Sequence, residues 1–145
     1  MLPNTDPAKI SSLCALYRQE CQAAGSTEHA ENALSASWVF LDAIVAETEG
    51  QARDFGLQYI ELMREYRAAI SPAFRARFPI LPVGTMPAGT LCGSPLTVLE
   101  QIKEYAQTGV GGLLLRFRAG PMPSEFAKQS MSSIMSEVYP PLMQA

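Results

Sequence analysis

The run from Cys92 to Arg118, CGSPLTVLEQIKEYAQTGVGGLLLRFR, constrains the fold more than any other part of the chain. Ser94 is a helix N-cap residue, and Pro95 is preorganised for the first helical position. Val98, Leu99, Ile102, Tyr105 and Ala106 recur at helical spacing, which predicts an amphipathic helix over Pro95–Thr108. Gly109 ends it, and Gly112–Arg118 reads as an apolar strand. A helix that passes so directly into an apolar strand is a unit of α/β architecture. The run Gly109-Val110-Gly111-Gly112 superficially matches a phosphate loop. Such loops follow a strand and open a helix, whereas this one follows a helix and opens a strand, so it reads as a C-cap and tight turn.

The remaining segments extend the same alternation. Asp6 caps a first helix with Pro7 at its first position, and Ile10, Leu13, Cys14, Leu16, Tyr17 and Cys21 follow at mostly helical spacing up to Gly25. Ser26–Asn32 is a polar connection. Leu34–Ala46, LSASWVFLDAIVA, has the apolarity of a strand buried on both faces of a parallel sheet. Apolarity alone does not separate such a run from a buried helix. Thr48 opens a capping box with Gln51, and Phe55, Leu57, Tyr59, Ile60, Met63 and Tyr66 carry a helix to about Ala69. Ser71-Pro72 restarts a turn of helix through Phe78. Residues 79–93, rich in proline and glycine, form a long irregular loop near the upper length for an ordinary connection. A final helix begins at Pro123 or Ser124, turns Phe126, Met131, Ile134, Met135 and Val138 inward, and closes at Pro140-Pro141. The expectation is a single domain over residues 1–145, α/β and helix-rich. Its two parallel strands (about 34–46 and 112–118) suit a partial (β/α) barrel.

Composition narrows the function classes. Only 17% of residues are charged and 48% are apolar, where about 25% charged is usual. A small domain with so little charge is expected to bury apolar surface against another chain or a second copy. The net charge of -3 leaves no basic surface for nucleic acid and no polybasic membrane anchor. The start, MLPNTDPAKISSL, lacks the basic and apolar regions of a signal peptide, and no run approaches the ~18 apolar residues of a membrane helix. A soluble, cytoplasmic protein is expected. Cys14 and Cys21, placed on one helix, stand about 10 Å apart along its axis, beyond bridging reach, so the three cysteines read as buried thiols.

Several short motifs occur in order: Ala46-Glu47-Thr48 after an apolar strand, Gly93-Ser94-Pro95 at a helix start, Leu114–Phe117, and Gly120–Pro123. Together they resemble the C-terminal portion of the luciferase-like flavin-dependent monooxygenases, over nearly the full chain. The resemblance implies a TIM-barrel oxidoreductase ancestry with FMN or a deazaflavin at the C-terminal mouth of the barrel. Most flavin and substrate contacts in that family come from earlier strands that have no counterpart here, and Leu41-Asp42 stands where many relatives carry Arg-Glu. The chain is therefore expected to be a truncated homologue, non-catalytic alone. It would self-associate, a dimer being favoured, or join the missing N-terminal barrel part. Two alternatives stay open: a flavin- or deazaflavin-dependent oxidoreductase whose site another subunit completes, and a protein-interaction module.

One site follows from geometry. The helix Pro95–Thr108 must run opposite to the strand after it, so its N-terminus at Ser94 lies towards the strand end where Arg116 and Arg118 emerge. A helix N-terminus beside two guanidinium groups makes a candidate anion site, formed by Ser94, Arg116 and Arg118. The alternative is that Ser94 only caps and the arginines pair with carboxylates. Asp42, mid-strand among apolar neighbours, is either an inward polar residue satisfied by an arginine or backbone partner, or a base. His29, the only histidine, has no partner at a recognisable spacing, which leaves neither a Ser-His-Asp triad nor a metal site. Glu47 and Glu49 read as favourable charges in a first helical turn.

Overall fold

A computed structural model describes residues 5–69, 82–118 and 122–144. Helix α1 (Pro7–Ala23) starts at Asp6, whose side chain accepts the Lys9 amide at 2.9 Å, and Gly25 follows its end at φ 71°. Of the apolar residues at mostly helical spacing, Ile10 and Cys14 face the core, while Leu16 and Tyr17 are exposed. The stretch expected as a polar connection is itself helical: α2 (Thr27–Ser35) buries Ala30 and Leu34 and leaves His29 in solvent. Two apolar residues four apart make too narrow a stripe to stand out in sequence.

Because α2 takes Leu34 and Ser35, the first strand is shorter than expected: β1 is Trp38–Val45. Helix α3 (Glu49–Ala69) follows, with the Gln51 amide donating to Thr48 Oγ1 at 3.3 Å as the capping box requires. The expected turn at Ser71–Phe78 lies outside the described residues. The expected loop 79–93 is corrected at its end, where Leu91–Gly93 form a further strand, β2. Three residues carry no alternation of their own, and only pairing with β1 makes them a strand. Helix α4 (Pro95–Ala106) and β3 (Gly112–Arg116) complete the unit that opened the sequence reading, the strand ending two residues early.

Among the described residues the sheet thus has three strands rather than two, all parallel, in the order β2-β1-β3. Ala43–Val45 pair with Leu91–Gly93 on one edge of β1, and Trp38–Asp42 pair with Gly112–Arg116 on the other. A (β/α) barrel keeps its strands in chain order around the ring. Here β1 lies between its two successors and the sheet is open, which departs from the expected arc of a barrel. The crossover from β1 to β2 and the one from β2 back past β1 to β3 move across the sheet in opposite directions, and right-handed crossovers of that kind put their helices on opposite faces. Accordingly, Tyr59 and Ile60 of α3 pack with Ile44 on one face. Val98 and Leu99 of α4 join Val39, Leu41, Ala43 and Val45 on the other.

Beyond the end of β3, a side chain takes over its pairing. The Val45 amide donates to Ser130 Oγ at 2.9 Å, and Ser130 Oγ donates to the Val45 carbonyl at 3.1 Å. On the opposite edge Gln101 does the same for Cys92, accepting from its amide at 3.1 Å and donating to its carbonyl at 3.3 Å. Such pairing satisfies backbone groups that burial would otherwise leave costly. Gly111 meets the end of α2 so closely that a Cβ there would lie 1.6 Å from the Ser35 carbonyl oxygen, and its amide donates to Leu34 and Ser37.

Ser130 belongs to α5 (Ser124–Ser133), which continues as a π turn (Ile134–Val138) and then α6 (Tyr139–Leu142). The helix therefore does not close at Pro140-Pro141. The π turn restarts the hydrogen-bond register, and both prolines fall in the first turn of α6, where their missing amides break no bond. Ile134 and Val138 are buried as expected, but Met131 and Met135 are exposed, one position off the core seam. On the α3 side of the sheet, cover is incomplete: Trp38 and Leu114 are exposed beside half-buried Phe40. No helix among the described residues is long and apolar enough to cross a membrane.

Candidate functional site

In open α/β sheets, ligands bind outside the carboxyl ends of the strands, where the strand order reverses. In this sheet that point lies between β1 and β3, and the register sets Asp42 directly beside Arg116 there. The two form a bidentate pair, with Arg116 Nε donating to Asp42 Oδ1 at 2.5 Å and Nη2 to Oδ2 at 2.9 Å. Tyr59, brought down from α3, donates its hydroxyl to Asp42 Oδ2 at 3.3 Å and accepts from Arg116 Nη2 at 3.4 Å. The guanidinium carbon also sits 4.9 Å above the Phe40 ring, a cation–π distance. Asp42 is 4% exposed, and the hydrogen bonds that Arg116 donates to it hold the Arg116 pKa above the ordinary arginine value.

Asp42 is thus an inward polar residue satisfied by an arginine, one of the two readings open in sequence. Two N–H groups of one guanidinium fork and a phenol hydroxyl together hold the carboxylate. Arg118 lines the same hollow, but its Nε donates to the Met122 carbonyl at 3.0 Å. That hollow, walled also by Ile44 and Phe117, has no room for a water molecule. A larger apolar hollow of about 250 Å³ lies at the opposite strand ends, among Ile10, Leu13, Leu34, Trp38 and Val110, far from the polar cluster.

Ser94 is not part of this cluster. Gly93 is level with Val45 and Arg116 with Asp42, which separates Ser94 from Arg116 by about 13 Å along the strands and about 10 Å across them. The N-terminus of α4 already has an anion from this chain. Glu49 Oε1 accepts the Ser94 amide at 2.9 Å and the Thr97 hydroxyl at 2.5 Å, while Ser94 Oγ caps Thr97 at 3.4 Å. Hydrogen bonds from Ser94, then Thr97, hold the Glu49 carboxyl below the ordinary range. Nearby, burial and then the charge of Glu49 push the Cys92 thiol up to about 11. Glu49 looked in sequence like an ordinary first-turn acid, and Tyr59 like one more inward residue of α3. Neither carries a local signal, because each finds its partners across 17 or more residues of chain.

In fold, the chain is similar to monooxygenase RslO1 from Streptomyces bottropensis, with a TM-score of 0.63 and 21% identity over 97% of this chain. It is also similar to apo-MsnO8, with a TM-score of 0.46 and 17% identity over 67% of this chain. The chain spans 40% of the length of the first and 32% of the second. No protein-family model and no curated protein matches it by sequence. The likeness to RslO1 supports a monooxygenase-like α/β fold.

Proposed function

We propose that this chain is related to the C-terminal portion of the luciferase-like monooxygenases, performs no oxygenation alone and serves as a self-associating unit. The observation that supports this most is the closure of Arg116 upon Asp42 and Tyr59. This arginine, at the strand ends where such folds place their chemistry, is spent within the chain. FMN or a deazaflavin, the cofactor the resemblance implies, brings an isoalloxazine-type ring and a phosphate. The described residues do not fit it: Glu49 occupies the helix terminus at Ser94, and the hollow at Arg116 and Arg118 admits no ligand.

The ancestry rests on the sequence motifs together with the fold likeness to RslO1 over nearly the whole chain. Self-association is favoured by low charge and by the exposed apolar side chains of the C-terminal helices; a smaller bare face lies on the sheet at Trp38, Phe40 and Leu114. That same face favours a second reading, an oxidoreductase whose site is completed by another subunit laid over Phe40 and Arg116. Titration with oxidised and reduced FMN, followed by flavin fluorescence and oxygen uptake, separates the two. The first reading expects no binding below millimolar flavin and no uptake. Micromolar affinity with substrate-dependent oxygen consumption would replace it with the second.

A further inference from the structure

The C-terminal helix carries exposed apolar residues at a constant step of four: Met131 (50% exposed), Met135 (57%), Tyr139 (46%) and Met143 (68%). In an uninterrupted α-helix each four-residue step advances about 40° and a stripe spirals off its face. The π turn over Ile134–Val138 is wound more loosely, so the step across it lags and offsets that drift. The irregularity thus straightens the stripe alongside the buried seam of Ile134 and Val138.

From this geometry we infer that the stripe Met131–Met135–Tyr139–Met143 is the surface through which two copies of the chain associate, helix against antiparallel helix about a two-fold axis near Met135. The inference rests on the self-association proposed above and assigns it a surface. At about 200 Å² for a fully exposed large side chain, the four residues leave roughly 440 Å² of apolar area bare. Interfaces are about 57% apolar, so that patch corresponds to roughly 800 Å² per partner, the size of a standard stable interface. The bare sheet face offers only Trp38, Leu114 and part of Phe40, which is less than such an interface needs.

The stripe is also complementary to itself. Antiparallel pairing about Met135 sets Met135 against its own copy and Met131 against the partner copy's tyrosine, a favourable sulfur–aromatic contact made twice. The same pairing sets Lys128 opposite a leucine and Glu137 opposite a serine, so no like charges meet.

Sedimentation velocity of the full chain from about 0.1 to 100 µM, which spans dissociation constants of roughly micromolar order and below, tests this, with circular dichroism confirming that each variant folds. A concentration-dependent dimer is expected, with Met135→Glu raising Kd at least about tenfold and Leu114→Glu leaving it unchanged. Met135→Cys is expected to form a disulfide-linked dimer under mild oxidation that the unaltered chain does not. A dimer insensitive to Met135→Glu but broken by Leu114→Glu overturns the surface and keeps self-association. A monomer at every concentration overturns both.

Discussion

Replacing Arg116 with methionine removes the guanidinium while keeping an unbranched side chain on the same strand position. Asp42, 4% exposed, then loses both N–H groups of the fork, 2.5 and 2.9 Å away. Stranding one member of a buried pair costs about 3–5 kcal/mol. The Arg116 side chain is one-third exposed, so water screens part of the interaction and roughly 2–3 kcal/mol is expected. For a chain of this length that lowers Tm by roughly 5–10 °C. Urea unfolding at pH 7 of the unaltered chain, Arg116→Met, Asp42→Asn and the double variant closes a cycle. The two single losses are expected to be non-additive by about 2 kcal/mol. A coupling below about 0.5 kcal/mol, at unchanged denaturant slope, would refute the idea that this pair locks β3 to β1.

Three further outcomes follow from the geometry. Glu49 has a folded pKa below its ordinary value of about 4.3, so its stabilisation is present above that pH and lost as pH falls through the folded value. Urea midpoints at pH 7 and pH 3 should therefore differ less for Glu49→Gln than for the unaltered chain. Cys92 has the opposite sign: the preference for the neutral thiol stabilises below its ordinary value of about 8.5 and fades as pH rises towards about 11. Iodoacetamide at pH 8.5, read by peptide mass, should alkylate Cys92 far more slowly in the folded chain than in the urea-unfolded chain, and equal rates would contradict the raised thiol pKa. Gly111→Ala drives a Cβ into the Ser35 carbonyl and is expected to cost about 1–3 kcal/mol or more, read as a fall in Tm, whereas Gly50→Ala, with open space around it, should not.

The sequence made the ends of elements legible wherever a cap carried the information. Asp6, Thr48 and Ser94 each start a helix at the expected residue, because a capping hydrogen bond is local chemistry. Elements made by tertiary pairing were not legible. Leu91–Gly93 become a strand only beside Ala43–Val45, and α2 shows itself only through Ala30 and Leu34. The wrong inward assignment of Met131 and Met135 has a similar origin, since a stripe one position off the seam has the same spacing as the seam itself. At the site, Asp42 was conspicuous as a carboxylate among apolar neighbours, and Arg116 as a strand-end cation. Their pairing was not readable, because the strand order β2-β1-β3 sets their register and no periodicity encodes strand order.

That strand order has a consequence for the nascent chain. The strand made first is the one that ends up in the middle, and Asp42 must wait for a partner 74 residues further on. At a synthesis rate of about 5–20 residues per second the wait is roughly 4–15 s. One edge of β1 can pair once Leu91–Gly93 has been made, but the edge that carries Asp42 stays open for the whole interval. The edge of β1 that carries Asp42 is therefore completed last, when Gly112–Arg116 emerges.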